Sequence, residues 1–303
     1  MPGGIAGPFG EIISRFWITG MPTETYIVRF FVPAFGDSRD KTVPLTLKKL
    51  TPNMKLVSDK IIVSGPCSAE NREQVLKTAE GLAACGVTAF RAGLWKPRTR
   101  PGCFEGVGAE GLEWMAEARR TYGMRIATEL NSARNADLLL KAGMDIAWIG
   151  ARTATNPFDV QDIADALRGC HIDVYIKNPV APDSALWLGA IERMERAGIK
   201  GRIVAIHRGF CAWEKDIFRN NPIWSIPLWL KAQRPDIPVV CDPSHISGQA
   251  RLVPYVSRMA LSLGFDGLFI ESHCNPAAAL SDAAQQLTPE EVGHMFQDLK
   301  LTE

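Results

Sequence analysis

The chain has 303 residues, of which 46% are hydrophobic, and its 34 basic and 33 acidic side chains leave a formal net charge of +1. This length can form one large barrel or two ordinary domains, and the near-neutral charge gives no electrostatic basis for a nucleic-acid or membrane partner. No apolar run approaches the roughly 18 residues of a membrane span. Seven scattered cysteines argue against a disulfide framework and indicate the reducing cytoplasm.

The first 57 residues differ in pattern from the rest of the chain. They begin with a loop-like segment rich in Gly and Pro, and the run ETYIVRFFVP at 24–33 is typical of a strand. The segment lacks the features of a signal peptide. We interpret residues 1–57 as an N-terminal extension, either a hairpin or a segment without fixed structure, and residues 58–303 as the catalytic unit.

From Lys60 onward, short β-branched runs alternate with amphipathic segments of helical length. The predicted strands are 61–65, 88–93, 125–130, 146–151, 174–178, 202–207, 238–242 and 267–272. Eight strands, each followed by a helix, predict an α/β fold of the (β/α)8 (TIM barrel) type. Signals for the starts and ends of helices agree with this count. Residues typical of helix N-caps occur at Ser132, Asp183 and Thr288, and glycines typical of helix C-termini at Gly86, Gly123, Gly143, Gly198 and Gly264.

Four metal-type ligands follow the ends of predicted strands. His245 and Glu271 lie at the ends of the last two strands, Asp282 follows shortly afterwards, and Cys67 lies just past the first strand. The first and last strands of a closed barrel are neighbours, so these four side chains are expected to converge. A thiolate with an imidazole and carboxylates suits a divalent transition metal such as Mn, Fe, Co or Zn better than Mg or Ca.

The same strand ends carry a concentration of positive charge. The residues concerned are Arg91, Lys96, Arg98, Arg152, Lys177 and Arg208. An anionic ligand with several charges, such as a phosphate with a carboxylate, would compensate them, although one or two could instead form structural ion pairs with Glu129 or Asp242. In the loop LWKPRTRPG (94–102), two prolines hold Lys96, Arg98 and Thr99 as rigidly placed donors, which suits a phosphorylated substrate.

Five motifs occur in order along the chain: GPCSAE (65–70), KPRT (96–99), IGART (149–153), DPSH (242–245) and ALSD (279–282). Together they resemble the 3-deoxy-D-arabino-heptulosonate 7-phosphate synthase family, in its short bacterial subtype, over about Lys60 to Leu299. The resemblance implies a metal-dependent condensation of phosphoenolpyruvate with erythrose 4-phosphate that releases phosphate and begins the shikimate pathway. It also implies a homo-oligomer.

The resemblance assigns roles by position. The metal ligands would be Cys67, His245, Glu271 and Asp282. Phosphoenolpyruvate would be held by Arg91, Lys96, Arg152, Lys177 and Arg208, and the sugar phosphate by Arg98 and Thr99. We further assign Lys96 as proton donor to the aldehyde oxygen and Glu129 as the residue that orients the attacking water.

The chain departs from the family pattern at two positions. Asn178-Pro179 follows Lys177 where many relatives have Arg-Gly, and His207 stands where an acidic residue is common. We interpret His207 as a packed residue at the barrel rim and not as an additional member of the site.

Three other functions are weighed against this one. An octulosonate-phosphate synthase would share the barrel, the phosphoenolpyruvate site and a similar metal site, but such relatives typically have a Lys-Ala-Asn-Arg type of sequence in place of KPRT. A regulatory barrel without catalysis would be expected to have lost a ligand or a substrate-binding residue. A hydrolytic zinc enzyme would not need six cations at the rim.

Overall fold

The computed structural model describes residues 59–96, 101–213 and 217–301, and the backbone of two short strands nearer the N-terminus. The chain divides into two compact units, Met1–Asn53 and Met54–Glu303. In the first unit, β1 (Tyr26–Ile27) pairs antiparallel with β2 (Thr46–Leu47). The rest of the 1–57 extension lies outside the described residues.

Eight parallel strands close the barrel in the second unit. They are β3 (Ile61–Gly65), β4 (Ala89–Arg91), β5 (Arg125–Glu129), β6 (Ile146–Ile149), β7 (Asp173–Lys177), β8 (Ile203–His207), β9 (Val239–Cys241) and β10 (Gly267–Glu271). Closure is made by β10 and β3, which pair from Gly267 opposite Ile61 to Glu271 opposite Gly65. The (β/α)8 prediction is confirmed, and every predicted strand overlaps an observed one.

The helices follow the barrel strands along the chain, and several of their ends lie at or next to the predicted capping residues and glycines. They are α1 (Arg72–Ala84), α2 (Glu110–Tyr122), α3 (Ala136–Lys141), α4 (Pro157–Ala166), α5 (Ser184–Arg196), α6 (Ser225–Gln233), α7 (Pro243–Ser247), α8 (Val253–Ser262) and α9 (Pro289–Asp298). Thr288 forms a capping box with Glu291 at the start of α9, and Asp183 caps α5. Ser132 caps a short 3-10 turn that leads into α3. No helix of the described residues is long and apolar enough to cross a membrane.

Side-chain alternation along the strands decides what faces the barrel interior. The buried interior cluster includes Ala89, Ala127, Tyr175, Val204, Ile206, Val240 and Phe269. Residues two positions apart share a face of a strand. On each strand, the residue two positions beyond the last of these interior residues therefore also faces the interior, at the C-terminal rim. These positions hold Arg91, Glu129, Lys177, Arg208, Asp242 and Glu271.

His207 points the other way, because its neighbour Ile206 faces the interior. Its ring packs outside the barrel wall against Trp187 of α5, Trp224 and Phe265, with ring centroids 5.3 to 6.4 Å apart. Burial lowers the pKa of His207 to about 3, so the imidazole is neutral at physiological pH. His207 is therefore packed beneath the helices, away from the interior of the rim.

Candidate metal centre and anion-binding rim

Cys67 is placed by a close approach between the first two barrel strands. A Cβ on Gly65 would lie 2.0 Å from the carbonyl oxygen of Arg91, so this position of β3 requires glycine. Two residues further on, the backbone N–H of Cys67 donates to Gln286 Oε1 at 3.0 Å. The side chain of Cys67 is completely buried, and its Sγ lies 3.5 Å from Asp282 Oδ2.

Glu271 and Asp282 complete a group of three ligand types with Cys67. One donor atom from each of the three residues lies within 4.8 Å of the others. Glu271 ends β10 and is fully buried. Asp282 adopts a left-handed backbone with φ of 49°, which is uncommon for residues other than glycine but better tolerated by Asp than by most. The loop thus holds the Asp282 carboxylate in a specific position beside the strand end.

His245 reaches the same place from α7. Asp242 caps this helix by accepting from the His245 N–H at 3.0 Å, and its Oδ2 lies 2.8 Å from His245 Nδ1. The contact at Nδ1 leaves Nε2 facing the other ligands, 3.8 Å from both Glu271 Oε1 and Asp282 Oδ2. The structure therefore places His245 beside Glu271 and Asp282, while the group whose donor atoms all lie within 4.8 Å of one another is Cys67, Glu271 and Asp282.

The donor set fits a divalent transition metal. A thiol sulfur, an imidazole nitrogen and two carboxylates are ligands of borderline metals, and Glu271 Oε1 is buried without a hydrogen-bond partner among the described residues. Burial and the nearby Glu271 raise the pKa of the Cys67 thiol to about 12. Metal binding would therefore displace the thiol proton, as thiolate coordination requires.

Arg91 lies inside the barrel beside these ligands. Its guanidinium carbon is 4.6 Å from the ring centre of Trp148 and 4.8 Å from that of Phe269. Nη2 lies 3.3 Å from Glu271 Oε1, whereas Nε and Nη1 are buried with no hydrogen-bond partner among the described residues. Unsatisfied buried donors are costly, and a carboxylate or phosphate oxygen would satisfy them.

The other rim cations make different contacts. Lys177 Nζ forms an ion pair with Asp242 Oδ2 at 2.8 Å. The sequence analysis had allowed such a pairing as an alternative to an anionic ligand. Arg208 donates to Asn220 Oδ1 at 2.9 Å, and burial lowers the pKa of its guanidinium to about 10. Arg152 follows β6 and is exposed. Arg98 and Thr99 lie outside the described residues.

Lys96, the predicted proton donor, contacts Cys67, and Glu129, predicted to orient the attacking water, lies at the end of β5. Lys96 Nζ lies 2.9 Å from the carbonyl oxygen of Cys67 and 3.2 Å from its Sγ. Burial opposes the ammonium, but Cys67 and Glu129 together raise the pKa of Lys96 above its usual value. Glu129 ends β5 and is 8% exposed, and its Oε1 lies 2.1 Å from where a Cβ on Gly150 would stand.

Some residues that the sequence analysis did not select also contact the candidate ligands through their side chains. They include Arg219, Gln285 and Gln286. Gln285 donates to Glu271 Oε2 at 2.6 Å, and Arg219 donates to Asp282 Oδ1 at 3.0 Å. Of these residues, the adjacent glutamines Gln285 and Gln286 lie shortly after the ALSD motif, a local signal that could have suggested a role for them.

Comparison with known proteins gives one family. The model of the DAHP synthetase I family matches residues 53–302. A phospho-2-dehydro-3-deoxyheptonate aldolase of Thermotoga maritima is 35% identical over 241 residues, which cover 79% of this chain and 68% of that protein. A 2-dehydro-3-deoxyphosphooctonate aldolase of Nitratidesulfovibrio vulgaris is 29% identical over 248 residues, covering 75% and 86% of the two chains.

Solved structures give the same result. The crystal structure of the Thermotoga maritima aldolase, a DAHP synthase, has a TM-score of 0.71 at 33% identity and covers 79% of this chain and 68% of its own. A truncated form of 3-deoxy-D-arabino-heptulosonate 7-phosphate synthase from the same organism has a TM-score of 0.68 at 30% identity, with coverage of 79% and 84%.

Proposed function

The chain belongs to the DAHP synthetase I family, and we propose that the rim site carries out the family reaction with a bound divalent transition metal. The reaction condenses phosphoenolpyruvate with D-erythrose 4-phosphate and water to give 3-deoxy-D-arabino-heptulosonate 7-phosphate and phosphate. This is the first step of the shikimate pathway to aromatic amino acids. The enzyme is an aldolase-type transferase.

The observation that supports this site best is the convergence of ligands and cations at one end of the barrel. His245 Nε2 lies 3.8 Å from the nearer oxygens of Glu271 and Asp282, and Cys67 Sγ lies 3.5 Å from Asp282. Arg91 is in contact with Glu271 and keeps buried donors for an anion. The C-terminal rim is where barrel enzymes place their chemistry.

The residues would hold phosphoenolpyruvate through its two charged groups. Arg91 provides two buried donors, Lys177 lies at the end of β7, and Arg208 directly follows the neighbouring strand β8. Arg152 would add a contact from the loop after β6, and Arg98 with Thr99 would bind the sugar phosphate. Burial of Arg91 and Lys177 strengthens their charge-assisted hydrogen bonds, so these groups would also stabilise the leaving phosphate.

The metal, when bound by Cys67, His245, Glu271 and Asp282, would supply Lewis-acid polarisation of the aldehyde oxygen. Lys96 would donate a proton to that oxygen as the enol carbon of phosphoenolpyruvate attacks the aldehyde carbon. Glu129 would orient the water that adds to C2, after which phosphate departs. Both side chains lie at the rim, with Lys96 in direct contact with Cys67.

The test measures phosphate released from phosphoenolpyruvate, with and without erythrose 4-phosphate, before and after chelation, and after Mn²⁺ is restored. We expect release that requires both the sugar and the metal. Release with arabinose 5-phosphate alone would instead support octulosonate-phosphate synthesis, the activity named for relatives at 29% identity. Full activity after exhaustive chelation would overturn the metal assignment.

We also propose that the enzyme acts in the cytoplasm as a homo-oligomer. The seven cysteines are free, which suits a reducing compartment. The homo-oligomer rests on the family resemblance, and light scattering coupled to size-exclusion chromatography measures it directly. A mass of one chain across the micromolar range would contradict it.

A further inference from the structure

Arg219 and Gln285 link two of the proposed metal ligands. Arg219 Nη1 lies 2.7 Å from Gln285 Oε1 and 3.0 Å from Asp282 Oδ1. Gln285 Nε2 lies 2.6 Å from Glu271 Oε2. One hydrogen-bonded path therefore runs from Arg219 through Gln285 to Glu271, and a branch of it ends on Asp282.

This path occupies one oxygen of each carboxylate and leaves the other oxygen facing the remaining ligands. The second oxygen of Glu271, Oε1, lies 3.8 Å from His245 Nε2. The second oxygen of Asp282, Oδ2, lies 3.8 Å from the same nitrogen and 3.5 Å from Cys67 Sγ. These hydrogen bonds hold one oxygen of each carboxylate toward Arg219 or Gln285 and so favour binding of a metal through the other oxygen.

Arg219 is itself held in place by its neighbours. Its backbone N–H donates to Ser247 O at 3.3 Å, and its Cβ lies 2.5 Å from where a Cβ on Gly248 would stand. Gly248 ends α7 with φ of 67°, and α7 carries His245. The arginine therefore packs over the end of one ligand-bearing helix while it contacts the loop that carries a second ligand.

We propose that Arg219 and Gln285 are positioning residues that make Glu271 and Asp282 bind the metal through one oxygen each. The inference rests on the proposed metal site. A metal that takes one atom from each of four ligands keeps more coordination positions for substrate than one held by two-oxygen carboxylates. The positive charge of Arg219 also offsets the repulsion between the two carboxylates before the metal binds.

The test replaces each residue by methionine and measures Mn²⁺ affinity from the electron paramagnetic resonance signal of free Mn²⁺. We expect Arg219→Met and Gln285→Met to weaken Mn²⁺ binding by about 10- to 100-fold, and Arg219→Lys to recover part of the loss. Arg234→Met is the matched control, because Arg234 also bridges two acceptors, Glu195 of α5 and Asp236 just after α6, which are not among the candidate site residues.

Two further readouts separate positioning from a general loss of structure. The visible absorption of bound Co²⁺ should change in both methionine variants, because the coordination mode changes, while the KM for phosphoenolpyruvate stays within about twofold and kcat falls. Circular dichroism checks folding; Arg219 is half-exposed, so Arg219→Met decides the question if Gln285→Met does not fold.

Wild-type Mn²⁺ affinity together with an unchanged Co²⁺ spectrum in folded Arg219→Met would overturn the inference. A wild-type protein that binds neither metal would instead overturn the proposed metal site itself. The two failures are therefore distinguishable.

Discussion

Lys177 and Asp242 form an ion pair inside the barrel, with Nζ 2.8 Å from Oδ2 and both side chains buried. The same carboxylate meets His245 Nδ1 at 2.8 Å and caps the helix that carries it. Burial opposes the charge, but His245 and Lys177 hold the pKa of Asp242 well below its usual range. One acid therefore positions both a candidate substrate-binding residue and a candidate metal ligand.

Replacing this acid by Asp242→Asn should damage stability and metal binding together. The change leaves the buried Lys177 ammonium without a counter-charge, which costs about 3–5 kcal/mol, and loosens the His245 ring, which weakens metal binding about 10- to 100-fold. Urea unfolding and Mn²⁺ titration measure the two effects. Asp236→Asn, which removes an exposed pairing with Arg234, should cost less than about 1 kcal/mol; equal losses in both variants would refute the argument.

Much of the barrel could be predicted from local pattern, and the convergence of the candidate ligands from that pattern together with barrel closure. Buried parallel strands appear as short apolar runs, and the closure rule then places Cys67 beside Glu271 although they are far apart in sequence. The interpretation of His207 as a packed residue could not be derived from its own strand, because IVAIH is apolar at every position before the histidine. Such a run does not reveal which alternate set faces the interior, and a shift of one residue exchanges the two faces.

Arg219 and Gln285 were not predicted, for a related reason. Their hydrogen bond joins loops separated by 66 positions, and neither residue follows an apolar run whose end the fold locates. Contacts of this kind depend on the tertiary arrangement of two irregular segments, on which residue periodicity carries no information. The roles of Arg98 and Thr99 stay predictions from the sequence.

A side chain at Gly150 should displace Glu129. A Cβ there would lie 2.1 Å from Glu129 Oε1, so Gly150→Ala must displace the carboxylate that we assign to orient water. Misplacement by about 1 Å can cost about 100-fold in rate, so we expect a kcat lower by at least about tenfold with Mn²⁺ affinity retained. Steady-state phosphate release and Mn²⁺ titration measure these quantities.

Gly189→Ala is the matched control for that change. Gly189 lies within α5, and a Cβ there meets nothing within 4 Å. Activity should be unchanged, and the free energy of unfolding should rise by about 0.5–1 kcal/mol because alanine favours the helix. Unchanged kcat in Gly150→Ala would remove Glu129 from the proposed mechanism.

His207 should make the protein less stable in acid. Its pKa of about 3 in the folded state lies below the ordinary value of 6.5, so between these values the unfolded state binds the additional proton. Stability from this group is complete above about pH 6.5 and falls as the pH decreases, by about 2 kcal/mol at pH 5. Urea unfolding from pH 8 to pH 5 measures the slope.

In His207→Phe, the part of the pH dependence of the free energy of unfolding that His207 contributes should disappear, because phenylalanine does not titrate and can pack among the surrounding rings. The difference between variant and wild type at pH 8, where His207 is neutral in both states, isolates the change in packing. An equal slope in the two proteins would show that His207 does not contribute.

Lys96→Met should separate catalysis from metal binding. Lys96 Nζ contacts Cys67 through its carbonyl oxygen at 2.9 Å and its Sγ at 3.2 Å. The carbonyl oxygen keeps a second donor, Arg91 Nη2 at 3.3 Å, and methionine fills a volume similar to that of the lysine stem. The Cys67 backbone should therefore stay in place when the ammonium is removed.

A proton donor positioned at the reacting oxygen contributes about 100- to 10,000-fold to rate, and we expect Lys96→Met to lower kcat by that range while Mn²⁺ affinity changes far less. Lys231→Met, which removes an ammonium paired with Asp266 outside the site, should leave both quantities unchanged. Retained turnover in Lys96→Met would refute the proton-donor role. A parallel loss of turnover and Mn²⁺ binding would instead show that Lys96 acts by holding Cys67 in place, because Cys67 is a proposed metal ligand and its displacement would weaken both.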